Sequence, residues 1–157
     1  MYIFRRRSLK LTEPSQTIRV RYLGNVSTGV AKGDHCIDAP LGILWTNYEK
    51  TCGRQTVKMD LSIDNSGLKV YTKSQGETRY WCHRITYYCA SKRNPKVFVW
   101  IYRHMAKNLK VDLRCHAAMC RNEKTAKYVA EHLSEKVSIL KRYGYFVITF
   151  YRNAVEC

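Results

Sequence analysis

The sequence predicts an α+β domain: antiparallel strands forming a sandwich or open barrel, one short helix after the first strand, and a long closing helix covering a gap. Three observations carry this. Several short runs alternate apolar and polar residues with the period of a half-buried strand, two other stretches repeat apolar residues at helical spacing, and 157 residues at 45 % hydrophobic are the size of one domain with its own core.

Residues 1–15 carry Arg5, Arg6, Arg7 and Pro14 without periodicity and read as a basic N-terminal arm. Order begins near Thr17, where Thr17–Leu23 alternates as a strand does and Gly24-Asn25 breaks it. Leu41, Leu44, Trp45 and Tyr48 then share one face of a short helix over 38–50, with Asp38 as N-cap and Pro40 in its first turn. Thr56–Ile63, the turn Asp64-Asn65-Ser66-Gly67 and Leu68–Tyr71 form a hairpin. Arg79–Ala90, which bends into two, Val97–His104 and Lys110–Cys120 are further strands, joined by the turn residues 91–96 and 105–108.

The closing helix falls within about 122–142. Asn122 is its cap, and Ala126, Val129, Ala130, Leu133, Val137 and Leu140 mark its apolar face. The domain is thus 16–142, followed by a short apolar tail, 143–157, in which Tyr145–Tyr151 is a run of strong β-formers: an added edge strand or a sticky disordered end.

An excess of 28 Lys+Arg over 12 Asp+Glu gives a formal charge of +16, a field that draws anionic surfaces: nucleic acid, lipid or acidic peptide. No apolar run is long enough for a membrane-spanning helix and no signal-peptide pattern follows the arginines, so a soluble intracellular chain is expected. The odd count of seven cysteines, with no C-x-x-C, favours reduced, small core residues, with Cys157 as the exposed thiol.

Cys82-His83 and Cys115-His116 are neighbours in strand-like runs and point to opposite faces, which argues against a metal site. Gly24, Gly29 and Gly33 lack the spacing of a phosphate loop, and no nucleophile elbow, zinc-protease motif or paired-carboxylate signature is present. The expectation is a non-enzymatic domain without cofactor. Arg79-Tyr80-Trp81 and Tyr87-Tyr88 raise single-stranded nucleic acid as an alternative, but aromatics at strand spacing more often fill a core, and no RNP-like octapeptide occurs.

Four segments, in order, carry a resemblance: Tyr22-Leu23-Gly24-Asn25, His83–Ala90, Val97–Arg103 and Arg114-Cys115-His116-Ala117. Together they resemble the phosphotyrosine-binding, or phosphotyrosine-interaction, domains of adaptors, and Pro95–His104 is similar to the subgroup called family with sequence similarity forty-three. The resemblance spans about Thr17 to Arg142 and implies a pleckstrin-homology-like fold: two nearly orthogonal antiparallel sheets of about seven strands, capped by a C-terminal helix.

The resemblance also implies an adaptor that takes an N-P-x-Y peptide as an extra antiparallel strand. Main-chain hydrogen bonds supply affinity and side-chain pockets supply discrimination. The edge strand implied is Ile85, Thr86, Tyr87, Tyr88, Cys89 and Ala90, and the opposing helix wall is Leu133, Val137 and Leu140, residues that core packing also claims. Val137 stands where the family usually has Phe.

Of the basic residues that phosphate-dependent members use, one matches Arg103, which reads equally as a solvated strand-end charge. The other falls on Leu113, while Arg114 should face the opposite side of the sheet, so binding without phosphate is expected. Partners would be N-P-x-Y tails of membrane proteins, and the module would be a cytoplasmic monomer serving signalling or endocytosis. The alternative is a phosphoinositide or anionic-membrane module at the inner membrane surface or endosomes, with Lys32, Lys69 and Lys73 as lipid contacts.

Overall fold

The computed structural model describes the backbone of residues 16–155 and the side chains of residues 16–144. The basic arm and Cys157 lie outside the described residues. The strands are β1 (Ile18–Ser27), β2 (Val57–Asp64), β3 (Gly67–Thr72), β4 (Gly76–Trp81), β5 (Ile85–Ala90), β6 (Val97–Met105) and β7 (Val111–Met119); the helices are α1 (Asp38–Lys50) and α2 (Glu123–Val155).

All strand pairs are antiparallel, in the order β4-β3-β2-β1-β7-β6-β5. The two sheets of the expected fold are therefore two halves of one ladder that share β1. Ile18–Tyr22 pairs with β2, and Arg21–Ser27 pairs with β7. Gly24-Asn25 does not end the strand as expected. It lies at a register shift between Tyr22 and Gly24, where Gly24 adopts φ 113°, a conformation costly for any side chain.

The β2–β3 hairpin follows its turn chemistry. The Asp64 carboxylate accepts backbone N–H bonds from Ser66 at 2.8 Å and Gly67 at 3.2 Å. Gly67, at φ 141°, lies so close to β4 that an added Cβ would collide with the Tyr80 carbonyl. The run Arg79–Ala90 does bend into two: a single 3-10 turn, Cys82–Arg84, carries the chain from β4 at one end of the ladder to β5 at the other. Cys82-His83 thus sits in that turn rather than in a strand.

Both helices form where spacing places them, with two corrections. The N-cap of α1 is Ile37; Asp38 is already helical and its carboxylate is held instead by His35 Nδ1 at 2.9 Å. At α2 the expected cap holds, since Thr125 N–H donates to Asn122 Oδ1 at 2.9 Å. The run Tyr145–Tyr151 continues α2 instead of adding a strand. A helix already nucleated gains a hydrogen bond for each residue it adds, which outweighs a local strand preference.

Two clusters cover the two faces of the sheet. Phe98, Trp100 and Tyr102 of β6 meet Ala126, Val129 and Leu133 of α2, while Val97, Val99 and Ile101 meet Leu41 and Leu44 of α1. Four cysteines, Cys36, Cys82, Cys115 and Cys120, are buried as free thiols; Cys89 is half-buried and Cys52 exposed. Cys115 and His116 do face opposite sides of the sheet.

A polar chain runs through the α2-facing layer. Asn25 Nδ2 donates to the Tyr22 hydroxyl at 2.8 Å, which lies 2.7 Å from His116 Nδ1, and His116 Nε2 lies 2.9 Å from His104 Nε2. With Asn25 occupying the Tyr22 oxygen, the Tyr22 O–H donates to Nδ1, leaving Nε2–H of a neutral His116 to donate to His104. His116 is only 2 % exposed and stacks on Trp100 at 5.1 Å.

Burial, with His104 and Arg114 nearby, pushes His116 down to about 3; burial likewise lowers His104, against the pull of Asp112. Because the folded state holds His116 below its unfolded value, stability is complete above about pH 6.5 and falls as the pH drops, the unfolded chain taking up a proton that His116 refuses. Urea unfolding at pH 7.5 and 5.5 should show a loss of about 1.4 kcal/mol from this residue, absent from the His116→Gln variant. Identical pH slopes in the two proteins would rule the neutral buried imidazole out.

Candidate functional site

β5 is built from β-branched and aromatic residues that favour a strand, and among the described residues it pairs only with β6. Its other side is a row of backbone donors and acceptors without a strand partner among the described residues, the requirement for adding a peptide strand. Within β5 the register shifts between Ile85 and Tyr87. The odd residue is Thr86, whose hydroxyl donates to the Ala31 carbonyl at 2.6 Å and ties the β1–α1 loop to the strand.

This shift sorts the side chains. Ile85, Tyr88 and Ala90 face the α2 cluster, whereas Tyr87 and Cys89 face the α1 cluster. Burial raises the Tyr87 and Cys89 groups, so both stay protonated and serve as packing. The six residues expected to form the edge therefore do form it, with Tyr88 and Ala90 half-buried on the face that α2 overlooks.

The opposing wall is only partly as expected. Leu133 is fully buried beneath the sheet, so it belongs to the core and cannot meet a ligand. Val137, one turn on, is half-buried at the margin of the same cluster as Tyr88 and Ala90, and Leu140 is 41 % exposed. Ile139 and Tyr143 are also exposed on this part of α2. Helical spacing marked all three expected residues alike; what separates them is where the sheet stops beneath the helix.

Arg103 stands exposed near the end of β6, one residue beyond Tyr102, the partner of Ile85. Its own ladder partner is Leu113, half-buried against the α1-facing cluster. Arg114 faces the other side, as expected, and is engaged by Asn25 Oδ1 and by Asp112 Oδ2 at 3.2 Å. The ladder residue opposite Arg103 is thus apolar rather than a second arginine.

The three lysines expected at a lipid site do not converge. Lys69 pairs with Glu77 at 3.3 Å and Lys73 lies in the β3–β4 turn, whereas Lys32 lies in the loop tied to β5 at the opposite end of the ladder. A different basic site went unnoticed in the sequence. Arg19, Arg21, Lys58 and Arg121 ring a shallow depression floored by Val20, Met119 and Cys120. Arg21 stands directly opposite Lys58 in the ladder, a like-charge pairing that costs stability unless an anion answers it. The only signal in the sequence was the alternation Arg19-Val20-Arg21, whose partner needs the register.

The aromatic strand Arg79-Tyr80-Trp81 divides between core and surface. Tyr80 is buried, with its ring edge-on to Trp100 at 5.4 Å, and Arg79 lies over the exposed Trp81 ring at 5.4 Å. Among the described residues no group of three or more His, Cys, Asp or Glu side chains is arranged to hold a metal, and no helix is long and apolar enough to cross a membrane.

The sheet order and the closing helix together define a fold of the phosphotyrosine-binding type, a class of protein-interaction domain. Residues 17–144 match the phosphotyrosine interaction domain (PTB/PID), and the chain belongs to that family. It is 38 % identical over 135 residues to "Protein FAM43A" of Homo sapiens, an alignment covering 83 % of this chain and 31 % of that protein. It is 28 % identical over 134 residues to the mouse "PTB-containing, cubilin and LRP1-interacting protein", covering 74 % of this chain and 58 % of the relative.

The chain thus spans about a third of the length of the first of these relatives. In fold it is similar to the C-terminal phosphotyrosine interaction domain of mouse APBB2, with a TM-score of 0.64 at 19 % identity, covering 81 % of this chain and 88 % of that one.

Proposed function

We propose that this protein-interaction domain is an adaptor module that takes an N-P-x-Y-type segment of a membrane-protein tail as an antiparallel strand on β5, on the cytoplasmic side and without requiring phosphate. The observation that carries this is the edge of β5, unpaired among the described residues, on a strand that contacts α2, the helix that carries the half-buried Val137 and the exposed Leu140. The edge supplies main-chain hydrogen bonds and the helix supplies an apolar wall. A relative named for interaction with cubilin and LRP1 supports a protein ligand. Indifference to phosphate rests on Leu113, apolar beside Arg103, and on Arg114, committed to Asp112.

Fluorescence polarisation with an N-P-x-Y peptide tests this. Val137→Glu should weaken binding at least tenfold, about 1.4 kcal/mol, by setting a charge against the peptide. Arg103→Ala should change the affinity of the unphosphorylated peptide by less than about threefold. A preference near 100-fold, about 2.7 kcal/mol, for the phosphorylated form would contradict the reading.

A second reading, contact with anionic phosphoinositide headgroups, is favoured by the ring of Arg19, Arg21, Lys58 and Arg121 rather than by Lys32, Lys69 and Lys73. Arg19 is already paired with Asp60 at 3.1 Å, so Arg21, Lys58 and Arg121 would carry the contact. Cosedimentation with phosphoinositide-containing liposomes at low salt should fall severalfold in Arg21→Glu/Lys58→Glu, each basic residue near such a surface being worth about 1 kcal/mol. Equal binding of neutral and anionic liposomes would sink this reading and leave the peptide site untouched.

A further inference from the structure

The connection between β5 and β6 is short, basic and tightly held. Lys92, Arg93 and Lys96 are exposed on it, and among the described residues none lies within ion-pair distance of a carboxylate. Solvated turn lysines are common, so their placement matters more than their number.

The backbone beneath these cations is fixed from several sides. Ser91 is buried; its N–H donates to the Val97 carbonyl at 2.9 Å, and its hydroxyl accepts from Asn94 N–H at 3.1 Å. Val97 N–H donates to the Asn94 carbonyl at 2.8 Å, and the Lys96 carbonyl accepts from Cys120 N–H at 2.8 Å, pinning the turn to the end of β7. The cations therefore stand on a rigid base next to Ala90, and little backbone entropy is lost when they are engaged.

Direction supplies the rest. A segment that pairs antiparallel with β5 has its N-terminal part at the Ala90 end and its C-terminal part at the Ile85 end. Residues preceding the paired stretch must pass beside the turn. The carboxylates that act on this strand, Asp34 and Asp38, do so from the α1 side, and Asp38 is held by His35.

We propose that Lys92, Arg93 and Lys96 form a subsite for acidic side chains of the bound segment, Asp or Glu residues lying N-terminal to the stretch that pairs with the six residues of β5. The subsite rests on the peptide-binding reading and adds to it a charge preference at one end. It selects tails with a carboxylate-rich stretch before the N-P-x-Y turn, and it leaves the apolar contact with Val137 unchanged.

The test uses two fluorescent peptides with a common N-P-x-Y core, one preceded by three Glu residues and the other by three Ser residues. At about 50 mM salt the whole chain should bind the Glu peptide roughly five- to tenfold more tightly, and the gap should close near 500 mM, as screening of exposed pairs requires. The triple variant Lys92→Glu/Arg93→Glu/Lys96→Glu should reverse the order while binding the Ser peptide within about twofold of the parent. Equal affinity of the parent for both peptides would overturn the subsite and leave peptide binding standing. Binding of neither would overturn the peptide reading itself, and the subsite with it. Should the triple variant not fold, the salt dependence of the parent still decides.

Discussion

Strand β1 belongs to two ladders at once, and the rest of the molecule follows from that. Its first half pairs with β2 and its second with β7, the two overlapping at Arg21 and Tyr22, and the β7 ladder is carried on past a register shift at Gly24, a residue type that tolerates φ 113° without strain. Sharing one strand joins both halves of the sheet while leaving β4 and β5 as its two ends. The chain links those ends by the turn Cys82–Arg84, and α2 lies over the gap. An edge that stays open beside a helix is thus a product of topology, not of a loop.

The polar chain of Asn25, Tyr22, His116 and His104 sits where this sharing is tightest, since it links β1 to β7 and β7 to β6 inside an otherwise apolar layer. A buried donor or acceptor is costly when unpaired, and here each group finds its partner only in the correct register. The network fixes the alignment of β1, β7 and β6, and through β6 the position of the β5 edge. Arg114 extends it to Asp112 at the surface. That engagement removes Arg114 from any role on the opposite face.

Much of the fold was legible in the sequence because two periodicities, two for strands and about 3.6 for helices, are imposed by burial on one face. The hairpin at Asp64–Gly67, the cap at Asn122 and the bend within Arg79–Ala90 are local chemistry and could be read directly. What could not be read depends on partners distant in sequence. Gly24-Asn25 reads as a strand break unless β7 is known to continue the pairing. Leu133, Val137 and Leu140 share one helix face, and only the extent of the sheet separates core from wall. Lys69 reads as a free cation until Glu77 is placed across the β3–β4 ladder, and Arg21 reads as ordinary alternation until Lys58 stands opposite it. The run Tyr145–Tyr151 misleads for a different reason: its residues favour strands one by one, but they follow a helix already formed.

The account stands on β5 being the edge that a ligand extends. Amide hydrogen exchange, read residue by residue with and without a saturating N-P-x-Y peptide, addresses it directly. The outward-pointing amides of Ile85–Ala90 should slow at least about tenfold when the peptide supplies their missing carbonyl partners, while those of β4, the other end of the ladder, should not change. Unchanged exchange along β5 at saturation, or protection appearing on β4 instead, would contradict the account.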